Sequence, residues 1–158
     1  MQITVISTGT LKESYLKDAV AEYKKRLMQY AKVDEINLKE EVIKNEDDNT
    51  EIKRALEREG DKILASVPKD SYLIALCVEG KEYDSPALAR LVQVAADSKG
   101  KLTLVIGSSH GLADKVKDAA DAKVSFSKLT FPHQLMRVIL FEALYRSFTI
   151  LAGKKYHK

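Results

Sequence analysis

The most informative segment for chemistry is SFSKLTFPHQLMR, residues 125–137. Pro132 biases Phe131 away from helical conformation, and a helix is expected to begin almost at once, from about His133. The loop before that helix is therefore short, held at both ends, and rich in hydroxyl groups and backbone amides. These groups can bind a small polar ligand. The lone serines near His133 do not form a catalytic triad, and no GxSxG motif is present.

Two other segments, Leu76 to Gly80 and Gly107 to Gly111, form the carboxyl ends of predicted buried strands. In open α/β sheets, ligands bind beyond the carboxyl ends of the strands, so these two segments and the Phe126 to His133 loop are candidate ligand-binding segments. Glycine allows backbone amides to approach a ligand closely. The glycine loop alone is a weak signal, because many such loops carry glycine simply to turn.

The carboxyl-terminal part of the chain is basic. The whole chain has 26 Lys and Arg residues against 23 Asp and Glu, a net charge of +3. From residue 123 onward there are seven basic residues and only one acidic residue, a local charge of +6, which leaves −3 on residues 1–122. The tail GKKYHK adds aromatic rings to this charge, as a looped RNA site requires. A solvated or frayed tail is the alternative.

Several common functions lack their signatures. There is no GxxxxGK[ST] phosphate loop, and the first strand is followed by TGT rather than GxGxxG. Cys77 and the histidines lack metal-ligand spacing, so no metal site is expected. A nucleotide hydrolase would also need clustered carboxylates, which the sequence does not show.

Strands alternate with helices along all 158 residues, which predicts one α/β domain, residues 1–158, with a mostly parallel sheet flanked by helices. The predicted strands are ITVIS (3–7), VDEINL (33–38), SYLIALCV (71–78), KLTLVIG (101–107) and KVSFS (123–127). Helices are expected over about 11–30, 50–67 with Thr50 as cap, from 85 with Ser85 as cap, from about 112, and over 133–151. The single cysteine fits a reducing cytosol, and neither a signal peptide nor a membrane-spanning run is evident.

The last predicted helix is apolar on several sides and must be covered on more than one of them. It is either sandwiched inside the monomer or forms a self-complementary dimer interface. Arg137 and Arg146 then lie in or beside an apolar surface. Each is expected to pair with a carboxylate such as Glu142, whose i, i+4 spacing suits Arg146.

The segments VIGSSHGL, SFSKLTFPHQLMRVILFEALYRSF and the terminal YHK closely resemble the ribosomal large subunit methyltransferase H family. This is a small SPOUT-class family that methylates N3 of a pseudouridine in 23S rRNA. The resemblance runs from the opening ITVISTGTLK through AEYKKRL to the end of the chain. Its most specific pieces are FPHQLMR and YHK.

The resemblance implies a C-terminal trefoil knot, an obligate homodimer, and a cytoplasmic enzyme that acts on 23S rRNA in the assembled ribosome. It also implies S-adenosylmethionine as cofactor, with no metal. Carried over by position, the cofactor pocket consists of Leu76, Gly107, Phe126, Ser127, Lys128, Leu129, Thr130 and Phe131. Members commonly carry a second glycine where this chain has Ser108, which would cost about 1 kcal/mol if the position needs a positive φ.

The imide nitrogen of a pseudouridine is nucleophilic only once deprotonated, so the reaction needs a base or a cation that stabilises the anion. The candidates are His133, Arg137, Tyr156 and His157, contributed either by the same subunit or by a partner subunit. Arg137 would hold the anion or orient the base, His157 would accept the proton, and Tyr156 would stack. His133 has an alternative role as a helix cap. A non-catalytic RNA-binding or ribosome-associated factor with a vestigial pocket is the rival function.

Overall fold

Within residues 1–156, which the computed structural model describes, five strands alternate with five helices. The elements are β1 (Gln2–Thr8), α1 (Ser14–Leu27), β2 (Lys32–Leu38), α2 (Asn49–Ser66), β3 (Tyr72–Glu82), α3 (Ser85–Lys99), β4 (Lys101–Ile106), α4 (Asp114–Ala119), β5 (Ala122–Ser125) and α5 (His133–Leu151). The alternation predicted from sequence is therefore confirmed.

The strands form one sheet in the order β2-β1-β4-β3-β5, and every described pairing is parallel. Strands β1 and β4 lie inside the sheet, which explains their nearly continuous apolar sequences, because helices cover both faces. The predicted α/β class with a parallel sheet is confirmed. The trefoil knot stays a prediction.

Helices cover both faces of the sheet. On one face α1, α3 and α5 pack against the strands, with Val20, Val92 and Phe141 in the same core. On the other face α2 and α4 contribute Ile63 and Val116 to a second core. The sheet is thus the middle of three layers. The carboxyl ends of its strands are followed by loops.

Helix α5 lies between α1 and α3 and packs on the sheet. Leu140, Phe141 and Leu144 are almost completely buried there. Much of the apolar surface of α5 is therefore covered within the monomer, one of the two alternatives for this helix; its use in a dimer stays a prediction. Among residues 1–156, no helix is long and apolar enough to cross a membrane.

One helix start and two helix caps differ from those expected. Helix α1 starts at Ser14 rather than near residue 11. The cap of α2 is Asp48, whose Oδ1 accepts hydrogen bonds from the backbone N–H groups of residues 50 and 51, so Thr50 is not the cap. Similarly, Asp84 rather than Ser85 caps α3. In both helices the capping carboxylate accepts hydrogen bonds from backbone amides of the first turn. Its negative charge also interacts favourably with the positive end of the helix dipole.

Candidate functional site

The carboxyl ends of β3, β4 and β5 surround a cavity of about 390 Å³. These three strands are neighbours in the sheet, so the loops that follow them meet at one edge. A cavity of this volume is typical of a site for a small molecule. Seven residues predicted to bind the cofactor line it: Leu76, Gly107, Phe126, Ser127, Leu129, Thr130 and Phe131.

The loop after β5 is shaped by its own hydroxyl groups. Ser125 Oγ donates to the carbonyl oxygen of Ser127 at 3.0 Å, and Ser127 Oγ accepts from the N–H of Leu129 at 3.0 Å. Leu129 lines the cavity although its side chain is 71% exposed, so an apolar side chain stands at the rim. Lys128, the eighth predicted cofactor residue, is exposed and does not line the cavity.

The glycine loop after β4 is too tight for a side chain at its first position. A Cβ added to Gly107 would meet the carbonyl oxygen of Gly111 at 2.1 Å. The turn closes through a hydrogen bond from the N–H of Gly111 to the carbonyl oxygen of Ser108 at 2.9 Å. Gly111 adopts a φ of +91°, which favours glycine. Both glycines are thus required by the shape of this cavity wall.

Ser108 does not carry the backbone strain considered for it. Among the described residues, Asp70 is the one non-glycine residue with positive φ, so Ser108 lies in an ordinary conformation. Its side chain is buried and donates a hydrogen bond from Oγ to Oε2 of Glu59 at 2.9 Å. Serine at this position therefore adds a contact behind the loop.

Strand β3 bulges where it borders the cavity. Both Leu76 and Lys81 pair with Val124 of β5, so the intervening residues leave the regular ladder. A Cβ added to Gly80 would meet the backbone of Val124 at 2.6 Å, so the return to the sheet needs glycine. Three of the residues that leave the strand pairing line the cavity: Cys77, Val78 and Glu79. The sequence pattern predicts that the strand ends at Val78 and is followed by a turn, so it does not predict this bulge. A glycine inside a strand often marks a bulge, and Gly80 is the residue that could have indicated it.

The bulge brings an ion pair to the cavity wall. Lys117 Nζ lies 2.6 Å from Oε1 of Glu79, and this contact lowers the pKa of Glu79 and raises that of Lys117. Burial, with the Glu79 carboxylate nearby, raises the pKa of the Cys77 thiol. Cys77 is therefore a protonated, weakly nucleophilic thiol at neutral pH. The described residues include no group of three or more His, Cys, Asp or Glu side chains that could hold a metal ion.

His133 lies at the edge of the cavity, close to Gly9. A Cβ added to Gly9 would stand 3.1 Å from His133 Nε2 and 3.6 Å from Oε2 of Glu40. Glu40 in turn accepts a hydrogen bond from Ser109 Oγ at 3.3 Å. An imidazole on a cavity wall is a candidate proton acceptor for a bound ligand. Glu40 lies in the acidic stretch of residues 39–50, whose composition indicates a solvated loop. The sequence therefore gives no sign that Glu40 lies near the cavity.

The capping role considered for His133 has no support. Helix α5 begins at His133, its cap position is Pro132, and no side chain caps this end. His133 is half-buried and lines the cavity. Its ring is thus available to a ligand in the cavity.

Arg137 lies outside the cavity, one turn further along α5, and is only 1% exposed. Its Nη2 donates to the carbonyl oxygen of Gly9, and its Nε has no hydrogen-bond partner among the described residues. Burial lowers its pKa. The expected pairing of Arg137 with Glu142 is wrong, because Glu142 pairs with Arg146 one turn away. Arg137 instead fixes the Gly9 loop next to His133.

Tyr156 lies at the opposite end of α5. Its hydroxyl donates to Oε1 of Glu142 at 3.2 Å, and its ring packs edge-on against Tyr145 and under the guanidinium of Arg146. Helix α5 has 19 residues and spans about 28 Å at 1.5 Å per residue, so one chain does not bring Tyr156 to the cavity. Burial raises its pKa to about 12, so it is a neutral phenol at physiological pH. His157 lies outside the described residues.

The chain matches a protein-family model described as a predicted SPOUT methyltransferase over residues 1–157. It is 45% identical over 159 residues to a putative ribosomal RNA large subunit methyltransferase H of Methanococcus maripaludis, and the match covers 100% of both chains. Proteins named ribosomal RNA large subunit methyltransferase H from Shouchella clausii and Bacillus pumilus are also 45% identical, with 100% coverage of each chain.

A solved structure of a probable methylase family protein from Haemophilus influenzae Rd KW20 is similar in fold, with a TM-score of 0.51. The alignment covers 99% of this chain and 70% of that chain, at 13% sequence identity. At this identity the similarity concerns the fold alone.

Proposed function

The chain belongs to the SPOUT methyltransferase family, and we propose that it methylates N3 of a pseudouridine in 23S rRNA with S-adenosylmethionine as methyl donor. Support comes from relatives that match over the whole length and are named ribosomal RNA large subunit methyltransferase H. The observation that carries the proposal is the cavity at the ends of β3, β4 and β5, which combines a glycine loop with a loop rich in hydroxyl groups.

The cavity residues fit this cofactor. Leu76, Phe126 and Leu129 offer apolar surface for an aromatic ring, and the tight turn that begins at Gly107 forms another part of the cavity wall. Ser127 and Thr130 add polar side chains. When bound, S-adenosylmethionine supplies an electrophilic methyl group on a positively charged sulfonium. We assign its binding to the eight residues inferred from the family resemblance, with Lys128 outside the cavity wall.

The proton on N3 must leave before or as the methyl group is accepted. His133, an imidazole that lines the cavity, is the described residue to which we assign its acceptance. Arg137 positions the Gly9 loop next to that imidazole and acts through it. Tyr156, a phenol whose pKa is raised to about 12, is suited to donate a hydrogen bond or stack on a base.

The separation of Tyr156 from the cavity supports a homodimer, in which the tail of one subunit reaches the cavity of its partner. Tyr156 and His157 would then act on the base bound at the other subunit. We propose that residues 1–158 act as one domain and that the basic tails contact rRNA phosphates. The binding of the ribosomal substrate should accordingly weaken as salt is added.

Thermal unfolding with and without S-adenosylhomocysteine tests the cofactor assignment. At a ligand concentration of about 100 times Kd, binding should raise Tm by roughly 5 °C or more, because a ligand that binds only the folded state stabilises it. Adenosine triphosphate at the same concentration serves as a control for nonspecific binding. A non-catalytic RNA-binding factor with a vestigial pocket would show no rise with S-adenosylhomocysteine.

A further inference from the structure

Glu59 is a buried carboxylate directly behind the glycine loop. It lies on α2 and is only 4% exposed. Its Oε2 accepts a hydrogen bond from Ser108 Oγ at 2.9 Å, and its Oε1 accepts one from the N–H of Glu41 at 2.9 Å. One side chain thus joins α2, the β2–α2 connection and the loop after β4.

The surroundings of Glu59 hold it in place. Glu41 forms ion pairs with Arg58 at 2.9 Å and with Lys62 at 2.5 Å, both on α2. A Cβ added to Gly60 would meet Cβ of Ala113 at 2.9 Å, so α2 packs closely against the segment that follows the glycine loop. The helix therefore leaves Ser108 little freedom to move relative to Glu59.

A carboxylate at this position is costly to bury. Burial raises the pKa of Glu59, and the carboxylates of Glu40 and Glu41 add to that rise. An apolar side chain would fill the same space without that cost. The carboxylate contributes two hydrogen bonds, one of which ends on the cavity wall.

We propose that Glu59 is a positioning residue that holds the loop of residues 107–111 in the shape that binds the cofactor, acting through the hydroxyl of Ser108. The inference rests on the proposed function, since the bound molecule is S-adenosylmethionine. Glu59 lies behind the loop and does not line the cavity; its hydrogen bond to Ser108, which does, is its link to the site. Loss of either hydrogen-bond partner frees the loop and leaves a buried polar group unsatisfied.

Calorimetric titration with S-adenosylhomocysteine tests this coupling. Glu59→Ala and Ser108→Ala should each weaken binding about tenfold, and the double variant should be no weaker than the weaker single variant, because both remove one interaction. Glu59→Gln should stay within about threefold of the parent, since its amide can keep both hydrogen bonds. The control is Glu57→Ala on the same helix, which removes a partly exposed carboxylate paired with Lys115 and should leave binding unchanged.

Amide hydrogen exchange without ligand gives a readout that is independent of the proposed cofactor. Exchange in residues 104–113 should become faster in Glu59→Ala and Ser108→Ala but not in Glu57→Ala or Glu59→Gln. If the parent protein fails to bind S-adenosylhomocysteine while exchange responds in this way, the loop-holding role stands and the proposed function is wrong. Exchange in residues 104–113 that stays unchanged in both alanine variants would overturn the inference. So would a double variant whose loss of affinity equals the product of the two single losses. If Glu59→Ala does not fold, Ser108→Ala and Glu59→Gln still decide it.

Discussion

Gly107→Ala is expected to lower the affinity for S-adenosylhomocysteine by about 100-fold or more. The new Cβ would stand 2.1 Å from the carbonyl oxygen of Gly111, far inside contact distance, and the atom it meets is backbone. The turn must therefore open by more than 1 Å, which moves one wall of the cavity. Calorimetric titration measures the loss directly.

The matched control for this substitution is Gly100→Ala. Gly100 ends α3 with a φ of +65°, and a Cβ added there meets nothing within 4 Å. Alanine at that position should cost about 1 kcal/mol of unfolding free energy and leave cofactor affinity unchanged. A Gly107→Ala protein that folds and binds with the affinity of the parent would show that the glycine loop is not part of the cofactor site.

His133→Ala is expected to reduce the rate of methyl transfer by about 10²- to 10⁴-fold, the range for loss of a general base. Affinity for the cofactor should change by no more than a few-fold, because the imidazole lies at the edge of the cavity near Gly9 and Glu40. The measurement is single-turnover methyl transfer under saturating cofactor, with calorimetry and thermal unfolding on the same protein. We expect the substitution to lower the rate of methyl transfer and to leave cofactor affinity and Tm nearly unchanged.

Leu135→Ala provides the control in the same turn of α5. Its side chain is 39% exposed and does not line the cavity, so rate and affinity should match those of the parent. If His133→Ala retains the full rate, the proton is accepted elsewhere. The partner's tail, with the imidazole of residue 157, is then the remaining candidate.

The order of strands and helices was largely predictable because β1, β3 and β4 are short apolar runs and the long helix α1 has an amphipathic period. The pattern in residues 101–107 and 71–78 indicates strands covered on both faces, as β4 and the first part of β3 are. Helix starts were less predictable, since several polar residues near each start can cap it. Asp48 caps α2, two residues before the expected Thr50, and Asp84 caps α3, one residue before the expected Ser85.

The place of the candidate site was also predictable, because the carboxyl ends of neighbouring parallel strands meet at one edge of a sheet. The contacts that complete it depend on residues far apart in sequence. Glu59 reaches Ser108 across 49 positions, and Arg137 reaches Gly9 across 128. No local period or motif encodes such pairs. The bulge of β3 likewise depends on how Gly80 packs against Val124 of β5.

The most direct test of the proposed activity is transfer of tritiated methyl from S-adenosylmethionine to ribosomes that lack the modification, with free rRNA as a parallel substrate. We expect label on a pseudouridine of 23S rRNA in intact ribosomes and little or none on naked RNA, since the basic tails of the proposed dimer would recognise a folded target. Absence of label from both substrates, with a protein that binds S-adenosylhomocysteine, would contradict the proposed substrate. Absence of both label and binding would contradict the methyltransferase assignment itself.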